Sequence, residues 1–186
     1  MLQPKPASTF KDSPHSWFTM LLANECEPDE RLDDITRDAA QLFKVPMAMI
    51  NLVTDDKIIF KACIGEVQAK TIDRDGAFCS LATTIDKPLM IPDATLDPRF
   101  KNYSLVTGPL AIRAYLGTAL HAPDGSTIGT LCIFDTKPRT FAAKEIKLLT
   151  SMAEMADEQL AFIITTLSLP RVNAKRVDCT DNKRSR

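Results

Sequence analysis

Glycine is scarce in this chain, with six in 186 residues, and the six are scattered. A phosphate-cradling loop needs closely spaced glycines opening a helix, so none is expected. Histidine is scarcer still, at His15 and His121 only. A nucleophile–histidine pair would have to use the first, in an irregular end, or the second, beside a turn; neither position supports one. The five cysteines, Cys26, Cys63, Cys79, Cys132 and Cys179, include no C-x-x-C pair. With so few histidines beside them, no metal-ligand spacing emerges. Their odd number makes buried thiols the default in a reducing compartment. Net charge is −1, which gives no reason to expect nucleic acid or an acidic surface as partner. The start lacks the basic segment and long apolar run of a secretory signal, and no later stretch approaches a membrane span. A cytoplasmic location, with no membrane partner, is therefore expected.

What is present fits one domain with extensions: 45% hydrophobic and 25% charged residues, enough chain for a substantial core. Residues 1–27 read as an N-terminal extension, aperiodic at first. It then carries an apolar patch at Trp17, Phe18, Met20, Leu21 and Leu22 that suits a short packing helix or a dimer contact. Pro28 and Asp29 lead into a helix over 30–43, with Leu32, Ile35, Ala39, Leu42 and Phe43 on one stripe. Strands are expected at 47–53, 58–64, 87–91, 112–121 and 127–135, with a hairpin turn at Asp55-Asp56 and another at Pro123-Asp124-Gly125. Residues 65–75 read as irregular and 76–85 as a short helix. A proline- and glycine-free helix follows over 142–169. The chain from 169 onward is a basic tail. This order predicts an α/β (α+β) domain over 28–168, with a mostly antiparallel sheet and helices on one face.

The stretch from Pro92 to Leu120 organises the rest. Pro92 ends a strand, and Asp97-Pro98 reads as a helix start for about one turn over Arg99–Tyr103. Along 112–121, Ile112, Ala114, Leu116, Thr118 and Leu120 share one face. Arg113, Tyr115, Gly117, Ala119 and His121 share the other. Both faces are largely apolar, so both must be covered, and a covered face bearing an arginine and a tyrosine suits a small-molecule pocket.

The motifs PDAT-x-DPRF, LVTGP-x-IR-x-Y-x-G and DG-x(2)-IGTLCIFD-x(2)-PR-x-F resemble those of GAF domains. The likeness is to the type in bacterial sensor kinases and cyclic-dinucleotide enzymes, and it runs from about Arg31 to Leu167. The resemblance implies a central antiparallel sheet with terminal helices on one face and a ligand pocket on the other, under 76–85 and 92–110. It implies a sensory, small-molecule-binding role without catalysis. The candidate ligand-binding residues are Phe78, Cys79, Asp93, Phe100, Tyr103, Arg113, Tyr115 and Cys132, of which the four aromatic ones read first as core and second as ligand contacts. A buried arginine needs an anion; for Arg113 this is Asp93, Asp97 or a ligand carboxylate or phosphate. Where relatives have histidine, an aromatic and a proline, this chain has Leu81, Ala114 and Ala119, which implies a different ligand or a closed pocket. The cofactor is left unknown. Bilin-binding relatives use a cysteine in the region matching 100–113, where none stands, and haem would have only His121 as axial ligand.

Two alternatives remain. One branch of GAF-like proteins reduces free methionine sulfoxide with pocket cysteines, and Cys79 and Cys132 could face one cavity, with Arg113 as the electropositive neighbour a reactive thiol needs. The other is a ligand-free interaction module. Ile146, Leu149, Ala153, Ala156, Leu160, Ile163 and Leu167 form an a/d seam, from which a homodimer through the C-terminal helix is expected, beside an unidentified small-molecule partner.

Overall fold

A computed structural model of the protein describes Leu21 and residues 28–67, 69–75 and 77–168. The N-terminal patch apart from Leu21, the cysteines Cys26 and Cys179, and the basic tail lie outside the described residues. Leu21 is fully buried in the core.

Helix α1 (Glu30–Phe43) starts where Asp29 accepts the backbone N–H groups of Arg31 and Leu32 at 3.1 and 3.0 Å. That satisfies donors a helix start leaves open. It ends at Lys44, whose φ of 52° reverses the chain before Val45. Strands β1 (Met47–Val53) and β2 (Lys57–Ile64) form the expected hairpin. A further strand, β3 (Thr71–Asp73), pairs with β2 inside the segment read as irregular. Three residues are too few to show alternation, so the pairing comes from the neighbouring edge rather than from any pattern of their own. Helix α2 (Phe78–Ala82), strand β4 (Leu89–Ile91), helix α3 (Ser104–Thr107), strands β5 (Ala114–His121) and β6 (Thr127–Asp135), and helix α4 (Ala143–Ser168) complete the chain.

The six strands make one antiparallel sheet in the order β3-β2-β1-β6-β5-β4. Helices α1 and α4 cover the same face, as expected. Leu32, Ile35, Leu149, Ala153 and Leu160 pack with Ala48, Ile50, Leu116, Leu131 and Ile133. The other face carries Met47, Met49, Tyr115, Cys132 and Phe134, and meets α2 and the 92–112 loops. Alternation along each strand makes this division.

Four expectations need correction. Leu42, placed on the α1 stripe, is 60% exposed. The Asp97-Pro98 helix start is a turn, in which Arg99 folds back on Asp97, and the nearest helix is α3. Strand β5 begins at Ala114, because Ala111 takes a φ of 47° and breaks the extended run. Ile112 consequently joins the pocket-side cluster rather than the face of Ala114 and Leu116. Finally, the a/d seam of α4 is spent within the chain except at Leu167, which is only half-buried. Leu149, Ala153, Ala156 and Leu160 are buried against the sheet, and Ile146 and Ile163 pack beside them. The apolar row that α4 leaves outward is a different one, Leu148, Met155 and Phe162. Among the described residues, no helix is long and apolar enough to cross a membrane.

Candidate functional site

On the face opposite the long helices lies a cavity of about 240 Å³. Its walls are Met47 and Met49 of β1, Phe60 of β2, Val67 and Ala69 of the following loop, and Ile72 of β3. Ala77, Phe78 and Cys79 enclose it from α2, and Leu105, Leu110, Ile112 and Phe134 complete it. Glu66 alone is charged among these lining residues. The expected position under 76–85 and 92–110 is met in part. Glu66, Val67, Ala69 and Ile72 also form the wall, and the short polar sequence around them gave no sign of that.

Of the candidate binding residues, Phe78 and Cys79 line the cavity. Phe100, Tyr103 and Tyr115 stand behind Phe78, with ring centroids 4.9, 6.2 and 5.1 Å from it. Such stacks are worth about 0.5–1.5 kcal/mol each beyond area burial. Cys132 is fully buried beneath Cys79. Asp93 closes a turn on the N–H and hydroxyl of Thr95 at 2.9 and 2.6 Å. Arg113 neither lines the cavity nor meets a carboxylate: its Nη1 donates to the carbonyls of Val106 and Ile112, both at 3.0 Å. The late start of β5 turns this side chain toward the end of α3, whose open carbonyls supply the partner. Asp97 is engaged by Arg99 at 2.6 Å, and that guanidinium holds its carboxyl below the usual range.

The polar chemistry of this face lies in the core behind the cavity wall, and Cys79 is its one member that also lines the cavity. Asn51 and Thr130 are fully buried and face each other across β1 and β6. The Thr130 hydroxyl donates to Asn51 Oδ1 at 3.0 Å. That aims the Asn51 amide nitrogen at two sulfurs, Cys79 Sγ at 3.3 Å and Cys132 Sγ at 3.6 Å. The sulfurs are 3.7 Å apart. The Tyr115 hydroxyl donates to Cys79 Sγ at 3.8 Å. Gly117 permits this contact: the Tyr115 ring lies across it, and a Cβ there would overlap the phenol oxygen. The register of β1 on β2 shifts between Ile50 and Asn51, a bulge of the kind that re-aims a side chain.

These donors divide the two thiols. Hydrogen bonding from Cys132 foremost, with help from Asn51 and Tyr115, outweighs burial and lowers the Cys79 pKa to about 7. Burial, then the neighbouring Cys79, push Cys132 well above its ordinary value. Burial also raises Cys63 and Tyr115. Sequence reasoning passed over Asn51 and Thr130, although Asn51 is the one polar residue of β1 and Thr130 interrupts the apolar run inside β6. That was the available signal. Among the described residues, no group of three or more histidine, cysteine or carboxylate side chains could hold a metal ion.

A family model for the GAF domain matches residues 27–160. The chain belongs to the GAF family. Over 128 residues this GAF domain is 34% identical to a cyclic di-GMP phosphodiesterase of Pseudomonas aeruginosa. The match covers 68% of this chain but only 22% of that relative's length. Among solved structures, a free methionine-R-sulfoxide reductase from Neisseria meningitidis in complex with its substrate aligns with a TM-score of 0.60 at 16% identity. That alignment covers 79% of this chain and 88% of the other. The second GAF domain of DevS from Mycobacterium smegmatis aligns with a TM-score of 0.56 at 17% identity, covering 75% and 97%. At such identities the likeness shows the GAF fold alone.

Proposed function

We propose that this GAF domain, spanning 28–168 between an N-terminal extension and a basic tail, is a cytoplasmic sensory module that binds a small apolar molecule and signals without catalysis. The observation that carries this reading is the apolar cavity on the sheet face opposite the two long helices. A cavity with one charged lining residue gains from an apolar ligand and has little to offer a charged one. The route to the helices is short. On β1, β5 and β6, cavity-side residues alternate with residues under α1 and α4: Met49 with Ile50, Tyr115 with Leu116, Cys132 with Ile133. A ligand that fits one arrangement of the sheet better shifts the population toward it. Helix α4 carries the change outward.

The partner proposed is a second copy, meeting through α4. Its outward row is spaced by seven residues, which suits a helix-to-helix seam, in place of the inward row the sequence suggested. Sedimentation of wild type and Phe162→Glu tests it: a dimer that the variant splits supports the seam, and a monomeric wild type at tens of micromolar (roughly the range where weak seams assemble) removes it.

A thiol reductase of the free methionine sulfoxide type is the second reading, favoured by the Cys79–Cys132 contact. Against it, the lining offers no cation to the carboxylate of a free amino acid. Sulfoxide turnover with dithiothreitol would favour it over the sensory reading. The direct test of the latter is native mass spectrometry of freshly purified protein, with fluorescence titration by 1-aminoanthracene. Ala69→Trp, at the exposed edge of the cavity, should abolish the fluorescence gain. A wild type that neither carries a ligand nor takes up the probe would overturn the reading in favour of a ligand-free interaction module.

A further inference from the structure

The core behind the cavity wall at Cys79 contains more than an apolar ligand needs. Two free thiols lie 3.7 Å apart, and an amide nitrogen and a phenol donate to the one on the cavity wall. Building this arrangement places Asn51 and Thr130 in the core, and it uses Gly117 to seat the tyrosine. A packing thiol requires none of these. Cys132 has one proton and two acceptors within reach, Cys79 Sγ and the Met49 carbonyl at 3.7 Å. When it donates to the sulfur, the pair is a thiolate on the cavity side backed by a thiol.

We propose that Cys79 and Cys132 form a redox-responsive dithiol whose oxidant is an organic hydroperoxide taken up by the apolar cavity. The Cys79 thiolate attacks the terminal oxygen of R–O–O–H. The O–O bond breaks, and the alkoxide leaves and takes a proton to become the alcohol R–OH. Cys79 is then a sulfenic acid. The Cys132 sulfur, losing its proton, attacks Cys79 Sγ; the S–S bond forms and the hydroxyl leaves as water. In balance, two thiols and one hydroperoxide give one disulfide, one alcohol and one water. A thiolate population near neutral pH suits the first step, since the thiolate is the nucleophile. The apolar walls select the class of peroxide: an alkyl or aryl group gains from burial there and a hydroxyl group does not.

The bond would also alter the cavity. Bringing the sulfurs from 3.7 Å to a bonded length of about 2.0 Å draws Cys79 toward β6. Phe78, next to it in α2 and packed on Tyr115 and Phe134, forms part of the cavity wall. Oxidation thus acts on the element that a bound ligand would touch. The proposal rests on the sensory reading in one respect, that apolar molecules enter this cavity.

The test treats reduced protein with cumene hydroperoxide or hydrogen peroxide at equal concentration and maps disulfides by peptide mass spectrometry. The expected result is a Cys79–Cys132 disulfide, forming at least roughly tenfold faster with the organic peroxide, the scale of selectivity an apolar pocket gives. Cys132→Ser should stop at a sulfenic acid on Cys79 that dimedone traps; circular dichroism verifies its fold. The wild-type comparison stands without it. Equal rates with both peroxides, or oxidation of Cys63 ahead of the pair, would overturn the proposal. Uptake of 1-aminoanthracene is measured on the same sample. Probe uptake without disulfide ends this proposal and leaves the sensory reading standing, whereas loss of both ends both.

Discussion

The two faces of the sheet are built from alternate residues of the same strands, yet they differ in kind. Under α1 and α4 the face is aliphatic and closely filled, with Ala48, Ile50, Leu116, Leu131 and Ile133 meeting Leu32, Leu149 and Leu160. Across the backbone, the face holds the paired thiols Cys79 and Cys132, a phenol, an amide, a hydroxyl and a cavity. One face supplies stability and the other keeps groups whose protonation and occupancy can change. Substitutions on the first should therefore register in folding, and those on the second in thiol chemistry and ligand uptake.

The largest effect is expected from Leu160→Glu. This residue is fully buried under the sheet, and desolvating a carboxylate there costs several kcal/mol, a large part of a total stability of about 5–15 kcal/mol. Calorimetry should show no cooperative transition at the wild-type temperature. A folded variant of altered oligomeric state would instead mean that the inward row faces a partner. Gly117→Ala comes next. The added methyl displaces the Tyr115 ring, an overpacking cost of about 1–3 kcal/mol, read from the urea midpoint. Thiolate reactivity at Cys79 should fall along with it. Tyr115→Phe sharpens the contrast, since it keeps the ring and removes only the donor to sulfur. Stability should change by about 1 kcal/mol or less, while Cys79 titrates at higher pH. The smallest effect on folding is expected from Phe162→Glu, at 62% exposure, within about 0.5 kcal/mol when wild type and variant are compared at a concentration where both are monomeric; a shift well beyond that would mean that the outer row of α4 is structural.

The pH dependence of stability carries the same contrast. Cys79 is lowered from 9.0 to about 7 on folding. Below that range both folded and unfolded chains hold the proton. Between about 7 and 9 the unfolded chain holds more protons, so stability rises with pH through this window. Cys132, raised on folding, reverses the sign above it. In Cys79→Ala the rise should vanish from urea titrations across the same range.

Much of the fold was legible in the sequence, because period 3.6 in 30–43 and 142–169 and period 2 in the strands follow from which face is covered. The β3 strand was not, since Thr71–Asp73 owes its conformation to its neighbour. The a/d row of α4 shows the limit of periodicity: it gives the width of an apolar stripe but not what covers it, and here the sheet does. Phe78 and Cys79 were legible as cavity residues from the family resemblance, which puts the 76–85 helix over the pocket, although they lie outside the motifs that carry it. Arg113 was misplaced because one positive φ at Ala111 delays β5. Asn51 was missed because its role depends on a cross-strand partner, Thr130, 79 positions away.

Among the described cysteines, Cys79 alone combines a lowered pKa with a place in the cavity wall, and the pH profile of its alkylation tests that directly. Reduced protein is pulsed with iodoacetamide at a series of pH values, and labelling of each cysteine is read by peptide mass spectrometry, with and without 1-aminoanthracene. Cys79 should label with a midpoint near pH 7 and be protected by the probe. Cys63, whose pKa burial raises from 9.0, should label only at higher pH and without protection. A Cys79 that titrates no earlier than Cys63, or that the probe leaves unprotected, would contradict it.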